Sequence, residues 1–485
     1  MTTPPDMSTP QPERANMRIL LALIVIEVFA FFETAMAIAA IPTFMRVFEA
    51  DAAVAGWTTT AYLLVGAASA ATSGRLGDIY GRKNVLVFVL VAAACGSLIS
   101  MLAADLWMVT LGRGVQGLAA GALPLAFGLA RELLPERRVP LGIALLGGIV
   151  PICTGAGALL AGVLIDQSGW RLMFMTAAGL GAAAAVIALT GLPRTSGIKP
   201  RPTVDVVGAV LLVPATGGVL FGVTKAGEWG WGNAAVLLAI ALGLASLALW
   251  TWWERRVREP IVDVRQFTDR KMLLTTLATV MVGLGPMGAT ALLAPLVLQL
   301  PEATSIGQGL TATTAGVVML FTSLVSYGGA AVSGRIAQLV GARWALLTAG
   351  VLYITGATLW IFLAESLAGT VTCLTLLNVG SAFAYTAIPN LIIEVVPAEQ
   401  TGAATGMNRV TLNVAVASGL SIASVILATS TVPGTQLPSQ TALTAACLFI
   451  IGAAVVSLLL AALIGRARRT PEERALTPGQ KTATA

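Results

Sequence analysis

The sequence predicts an all-α integral membrane protein, on three observations: apolar runs recur from end to end, charge is scarce, and basic residues gather in alternate loops. Of 485 residues 56% are hydrophobic and 11% charged, with a mean hydropathy of +0.86; a soluble domain carries about a quarter charged residues. Runs of around 20 apolar residues each suffice to cross roughly 30 Å of hydrocarbon as a helix. No stretch between them is long enough for a soluble domain.

Residues 1–17 are polar and proline-rich, without the apolar core of a signal peptide, and read as a disordered cytoplasmic tail. Apolar runs between charged or Pro/Gly-rich breaks then predict fourteen spans, starting near residues 18, 51, 84, 107, 141, 171, 204, 233, 271, 311, 343, 367, 402 and 443. An even number puts both termini on one side. Basic residues mark that side: Arg14 and Arg18, Arg75, Arg82 and Lys83, Arg131, Arg137 and Arg138, the cluster from Arg255 to Lys271, Arg335 and Arg343, and Arg466 to Arg474. The opposite loops carry Arg46, Arg171 and Lys225. Both termini are therefore expected in the cytoplasm, with the protein multi-pass in the inner or plasma membrane. The net charge of +6 follows from this asymmetry and points to anionic headgroups, not to nucleic acid.

Four cysteines, Cys95, Cys153, Cys373 and Cys447, lie in apolar runs at unrelated spacings and suggest neither a disulfide framework nor a metal site. With no histidine anywhere, His-dependent triads are excluded, and a proton carried near neutral pH must ride on a carboxylate. No Gly-Lys-Ser/Thr sequence supports a phosphate loop, so ATP drive is not expected. Gly283 to Gly288, GLGPMG, fits a dinucleotide-loop spacing but lies inside a span, where close helix packing and a Pro286 hinge explain it better. Neither an enzyme nor a bound cofactor is expected.

One loop recurs. GRLGDIYGRKNVLV, Gly74 to Val87, joins spans 2 and 3, and GRIAQLVGARWALL, Gly334 to Leu347, joins spans 10 and 11. Two related halves are the architecture of a secondary transporter with its site between them. The first copy resembles the loop between helices 2 and 3 of the major facilitator superfamily, with Gly74, Asp78, Gly81, Arg82 and Lys83 in register. LGRGVQGLAAGA in span 4 resembles the proton-coupling motif of its fourteen-helix drug:proton antiporter branch, placing Arg113, Gln116 and Gly117. ETAMAIAAIP places Glu33 at that branch's acidic position in span 1. DVVGAVLL, EPIVDVRQF and GAATGMNRV resemble further features of the branch. One motif departs: in Gly147 to Gly162, Thr154 and Ala158 stand where these exporters carry proline.

The resemblance implies two six-helix bundles, 18–193 and 259–465, joined by a linker of two additional central transmembrane helices, 194–258, with a cytoplasmic tail over 466–485. It implies a proton-coupled antiporter, acting as a monomer, that exports amphipathic, cationic small molecules; the alternative is a transporter of one specific neutral or anionic metabolite on the same fold.

Within this frame each candidate residue has a physical reason. Glu33 lies some fifteen residues into span 1, roughly 20 Å along a helix, where an acidic side chain costs about 3 kcal/mol and faces a cavity or a partner. It is expected to exchange a proton and to meet substrate. Glu27, six residues earlier, sits about 120° around the same helix, so it either borders a wide cavity with Glu33 or faces a neighbouring helix. Arg113, deep in span 4, needs a partner among span 1 carboxylates, backbone carbonyls or Gln116, and is expected to couple protonation to conformation. The loop of Asp78, Arg82 and Lys83 is expected to gate through salt bridges present in one conformation. Asn378, Tyr385, Asn390, Asn408, Arg409 and Asn413 crowd spans 12 and 13; Asn378, Tyr385 and Asn413 are the candidates for substrate contact, the others helix ties. Arg409, near the start of span 13, is expected to snorkel to the cytoplasmic interface.

Overall fold

A computed structural model describes residues 13–38, 43–44, 47–49, 52–195, 205–257, 260, 264–265, 269–301, 306–397, 400–428, 430 and 438–464. The helices in chain order are α1 (Glu13–Ile38), α2 (Ala52–Tyr80), α3 (Arg82–Met101), α4 (Leu106–Gln116), α5 (Ala122–Leu133), α6 (Val139–Ser168), α7 (Trp170–Gly191), α8 (Val206–Trp229) and α9 (Ala234–Glu254). They continue as α10 (Arg270–Val282), α11 (Thr290–Gln299), α12 (Ala312–Val340), α13 (Ala342–Leu363), α14 (Leu367–Ile393), α15 (Thr401–Ala428) and α16 (Gln440–Leu463). After the first, which begins five residues before its expected start, every expected start lies within three residues of an observed one. Among the described residues nine helices have the length and apolar content of a membrane crossing.

Two of the expected spans are broken rods. A 3₁₀ turn, Gly117–Gly121, separates α4 from α5, and a π turn, Gly283–Ala289, separates α10 from α11. The second accounts for GLGPMG: a Cβ on Gly283 would lie 2.6 Å from Ala415, on Gly285 2.4 Å from Ala453, and on Gly288 2.5 Å from the Val416 carbonyl, so the run seats the break against α15 and α16. Packing and a proline-bearing wide turn, not a nucleotide, explain the glycines.

The helices fall into two halves that meet along two seams. In the first half α1 packs on α6 and α7, and α3 on α7; in the second α13 packs on α14 and α16. The seams are α2 against α15 and α6 against α12. At the first seam the backbones almost touch. A Cβ on Gly406 would lie 2.0 Å from the Ala70 carbonyl oxygen, and one on Gly74 2.1 Å from Gly402. The pair α8 and α9 lies outside this seam, with Leu212 and Trp250 buried against Ala70, Ala71, Ala403 and Met407.

Because the neighbour at Gly406 is backbone, an added methyl group forces the seam apart. Gly406→Ala is expected to cost about 1–3 kcal/mol and to lower the thermal midpoint of the purified protein by several degrees. A melt unchanged from wild type would show that the helices do not depend on this approach.

Candidate functional site

The repeated loop builds the same joint twice. Gly81 and Gly341, seven residues after the first glycine of each copy, have φ of +94° and +103°, a backbone that L side chains rarely adopt. Both turn the chain directly into the next helix. The first glycines both lie on seams: Gly74 against Gly402 of α15, and Gly334 against Leu141 and Ala144 of α6. Four residues on, both copies reach across to the start of the opposing helix. The Asp78 carboxylate faces the backbone N–H of Ala403 in the first turn of α15, where the helix dipole favours a negative charge. Gln338 Nε2 donates to the Arg137 carbonyl just before α6, at 2.6 Å. Nine residues on, both copies cap a helix C-terminus: Lys83 Nζ donates to the carbonyls of Leu189 and Leu192 at the end of α7 (2.8 and 2.5 Å), and Arg343 Nη2 to Ala462 O at the end of α16 (2.7 Å). Lys83 thus braces the first half from within, while Asp78 lies at the seam.

Arg82 locks Asp78 in place. Its Nη2 and Nε donate to Asp78 Oδ1 at 2.8 and 3.0 Å, and its Nη1 to Gly128 O and Glu132 Oε2 at 3.0 and 3.2 Å. From the same end of α5, Arg131 Nη1 crosses to the other half, donating to Thr401 Oγ1 at 2.6 Å and Val396 O at 3.1 Å. Sequence reasoning counted Arg131 only among the basic residues that mark one side of the membrane; its place three residues before the Leu134–Pro135 helix end was the signal for a capping role.

Arg113 is buried to 1% exposure. Its guanidinium donates from Nη1 to Gln116 Oε1 at 2.7 Å and stacks 4.5 Å above the Tyr62 ring of α2, while Gln116 Nε2 donates to Ser97 Oγ of α3 at 2.5 Å. Of the partners expected for it, Gln116 is the one found among the described residues. Glycines make the contact possible: a Cβ on Gly112 would sit 2.6 Å from Gly96 O, and one on Gly117 2.7 Å from Tyr62 O.

Glu33 lies in α1, and its side chain is outside those described. Glu27 is fully buried, its two carboxylate oxygens accept no hydrogen bond among the described residues, and the charge that acts on it is Arg409. It faces the α6 side, where Cys153 Sγ contacts Val28 O at 3.8 Å.

Between the halves lies a cavity of about 20 Å³, room for a water or two. Leu123 and Phe127 of α5, Met287 of the π turn, Ile388 of α14 and Leu412 of α15 give it apolar walls; Tyr385, Thr405, Asn408 and Arg409 supply the polar groups. Arg409 does not snorkel. Eight residues into α15 it lies about 12 Å from the helix start, and its guanidinium sits 5.5 Å from the Tyr385 ring and 5.9 Å from the Phe31 ring of α1. That depth was countable in the sequence. Asn408 Nδ2 donates to Thr279 Oγ1 at 3.0 Å, Asn390 Nδ2 to Thr386 O at 2.8 Å, and Asn378 Nδ2 to Thr322 Oγ1 at 3.1 Å, so these three tie helices or their own turn. Asn413 is half-buried one turn beyond Arg409. Among the described residues no cluster has the makings of a metal site.

Two seams related by an internal repeat, closing over a cavity inside an apolar helical bundle, are the architecture of a membrane transporter. A family model described as Major Facilitator Superfamily matches residues 23–205, 205–419 and 267–484, and the chain belongs to that superfamily. It is 27% identical over 414 residues to the tetracenomycin C resistance and export protein of Streptomyces glaucescens, covering 84% of this chain and 75% of that one. It is 27% identical over 343 residues to the lincomycin resistance protein LmrB of Listeria monocytogenes, covering 70% of each, and 28% identical over 404 residues to the multidrug resistance protein Stp of Mycobacterium tuberculosis, covering 81% and 73%. Among solved structures the proton:xylose symporter XylE superposes with a TM-score of 0.63 at 13% identity, over 96% of this chain and 99% of that one. The human organic anion transporter MFSD10 gives 0.61 at 15%, over 94% and 100%. These two likenesses concern the fold alone.

Two outcomes check the site. Gln116→Leu removes a buried acceptor from Arg113 and is expected to cost about 1.5–3 kcal/mol, read as a lower thermal midpoint; an unchanged midpoint would mean that the bond contributes nothing. Arg131→Ala removes a tie between the halves, so a cysteine placed at Ala71, buried in the α2–α15 seam, is expected to react several-fold faster with a water-soluble maleimide. An unaltered rate would deny Arg131 a role in holding the seam shut.

Proposed function

We propose that the protein is a proton-coupled secondary transporter of the fourteen-helix drug:proton antiporter branch, exporting amphipathic small molecules from the cytoplasm. The observation that carries the reading is the pair of matched seams: contacts of this kind, glycine against backbone or small side chains with a few polar ties across, can part and re-form as the halves rock. The names of the relatives, which speak of resistance and export, supply the direction. On this reading all fourteen rods cross the membrane, 18–193 and 259–465 are the two bundles, 194–258 is the inserted pair, and both termini face the cytoplasm. The clasp of Asp78, Arg82, Arg131 and Gln338 then lies on the cytoplasmic side, and its closure seals the cavity from the cell interior.

Proton coupling is assigned to Glu33 and Glu27 in α1, with Arg113 responding to their charge. A carboxylate in an apolar bundle is costly to ionise and cheap to protonate, so its proton and the conformation of its surroundings are linked. Each charge moved down the membrane potential yields about 2.3 kcal/mol per 100 mV, enough to concentrate a cargo appreciably. A cationic cargo was the expectation drawn from Glu33; the Arg409 guanidinium in the described cavity wall favours instead the alternative charge, neutral or anionic.

Purified protein in liposomes with an imposed pH gradient tests the reading. Wild type is expected to move cargo against its concentration gradient, and Glu33→Gln and Glu27→Gln to lower gradient-driven movement by about tenfold or more while leaving exchange of cargo across the membrane. Gradient-driven movement undiminished in both variants would remove the carboxylates from the mechanism, and no movement by wild type would remove the function itself.

A further inference from the structure

Arg409 is the one charged side chain among the described residues of the cavity wall. Its guanidinium is held by ring faces, Phe31 of α1 and Tyr385 of α14, and among the described residues no carbonyl, hydroxyl or carboxylate accepts a hydrogen bond from it. Stacking occupies the faces of a guanidinium and leaves its N–H edges, five donors in a planar fork that matches an oxyanion bidentately. An arginine at this depth whose edges are unused is costly unless something completes it. Around it the wall is apolar, the setting in which one charged group fixes the orientation of a greasy ligand. Asn408, the residue before it, is tied to Thr279 of α10, so the backbone that carries Arg409 is anchored.

We propose that, once the halves part and widen the cavity that is closed here to about 20 Å³, Arg409 recognises an acidic oxygen, a carboxylate or phenolate, on a flat and otherwise apolar cargo, with Tyr385 stacking beside it. This rests on the transport reading and names its cargo class. The assembly draws one ring from each half, so rocking that parts α1 from α14 and α15 takes the Phe31 face away from Arg409 and changes its hold on the cargo. Glu27 precedes Phe31 by one helical turn, on the same face of α1, and its charge acts on Arg409. A cargo oxyanion therefore competes with the ionised form of Glu27 for the same cation, and protonation of Glu27 frees Arg409 for the cargo. An anion leaving and a proton arriving both move in the direction that an inside-negative potential favours, so their exchange is accelerated by the potential, whereas one-for-one exchange of a cation for a proton is not.

Two xanthene dyes that share a ring system but differ in charge make the test: fluorescein, which is anionic, and rhodamine 6G, which is cationic. Binding is measured by fluorescence anisotropy on the full chain in detergent, with monodispersity checked for each variant. Arg409→Gln is expected to weaken fluorescein binding by about tenfold or more, Arg409→Lys to recover part of it by restoring the charge without the fork, and Glu27→Gln to tighten it; rhodamine 6G binding is expected to stay within about twofold or to tighten in Arg409→Gln. No fluorescein binding by wild type, equal loss of both dyes, or unchanged fluorescein binding in Arg409→Gln overturns the proposal. The two readings fail separately: wild-type liposomes that move rhodamine 6G on a pH gradient but bind no fluorescein leave transport standing and remove the anion site. Arg409-dependent fluorescein binding without movement of either dye removes transport alone.

Discussion

Among the described residues the two halves of this protein approach most closely where glycine brings backbone against backbone. At Gly74–Gly402 and Gly406–Ala70 there is no room for a single added carbon, and on the opposite seam Gly334 and Gly148 are as tightly filled, chiefly by the side chains of Ala144 and Ala330. Such contacts are made of dispersion over a short stretch and a few polar ties, so they are firm when closed and inexpensive to separate. Everything else hangs on that property. On the transport reading, the arginines and carboxylates near the seams bias whether this interface stays closed or parts.

The internal repeat explains why the seams match. In both copies the first glycine packs on the opposing half, the fourth residue after it reaches the start of the opposing helix, the second glycine turns the chain, and the basic residue at the ninth place caps a helix end. Arg82 has no such counterpart, since Ala342 occupies the matching place, so the two clasps differ in charge. The first carries Asp78 under the control of Arg82 and Glu132; the second carries a neutral glutamine. An ion-paired clasp on one seam and an uncharged one on the other give the closed state a polarity that responds to local charge.

Much of this was legible in the sequence. Helix positions followed from apolar runs and their charged breaks, because hydrocarbon thickness fixes the length of each element. The repeat, and with it the two-half architecture, followed from Gly74, Gly81, Gly334 and Gly341. Tertiary partners did not follow. That Lys83 braces α7 while its neighbour Arg82 holds Asp78 depends on which side of one helical turn each residue occupies after the Gly81 bend. Arg409 was read as an interfacial residue because snorkelling is the common fate of arginine near a helix end; its distance from Thr401 argued otherwise, and the aromatic rings that receive it lie on α1 and α14, remote in sequence. Arg131 was read only as one of the basic residues marking one side of the membrane, because its acceptors, the Thr401 hydroxyl and the Val396 carbonyl, belong to the other half and are remote in sequence.

The buried charges divide the work. Arg113 is held inside the first half by Gln116 and Tyr62, Asp78 lies at the seam on Arg82, and Arg409 stands in the cavity wall against two rings. The account stands or falls on whether the basic end of the bundle opens and closes as a unit. Spin labels at Glu136 and Leu339, exposed positions beside the Arg137–Gln338 tie on opposite halves, report this directly by double electron–electron resonance in lipid nanodiscs. Two distance populations are expected, a short one matching the closed seam and a longer one that gains weight when the pH is changed across the range in which the buried carboxylates exchange protons. A single short distance at every pH would mean that the halves do not part here, and would contradict the account.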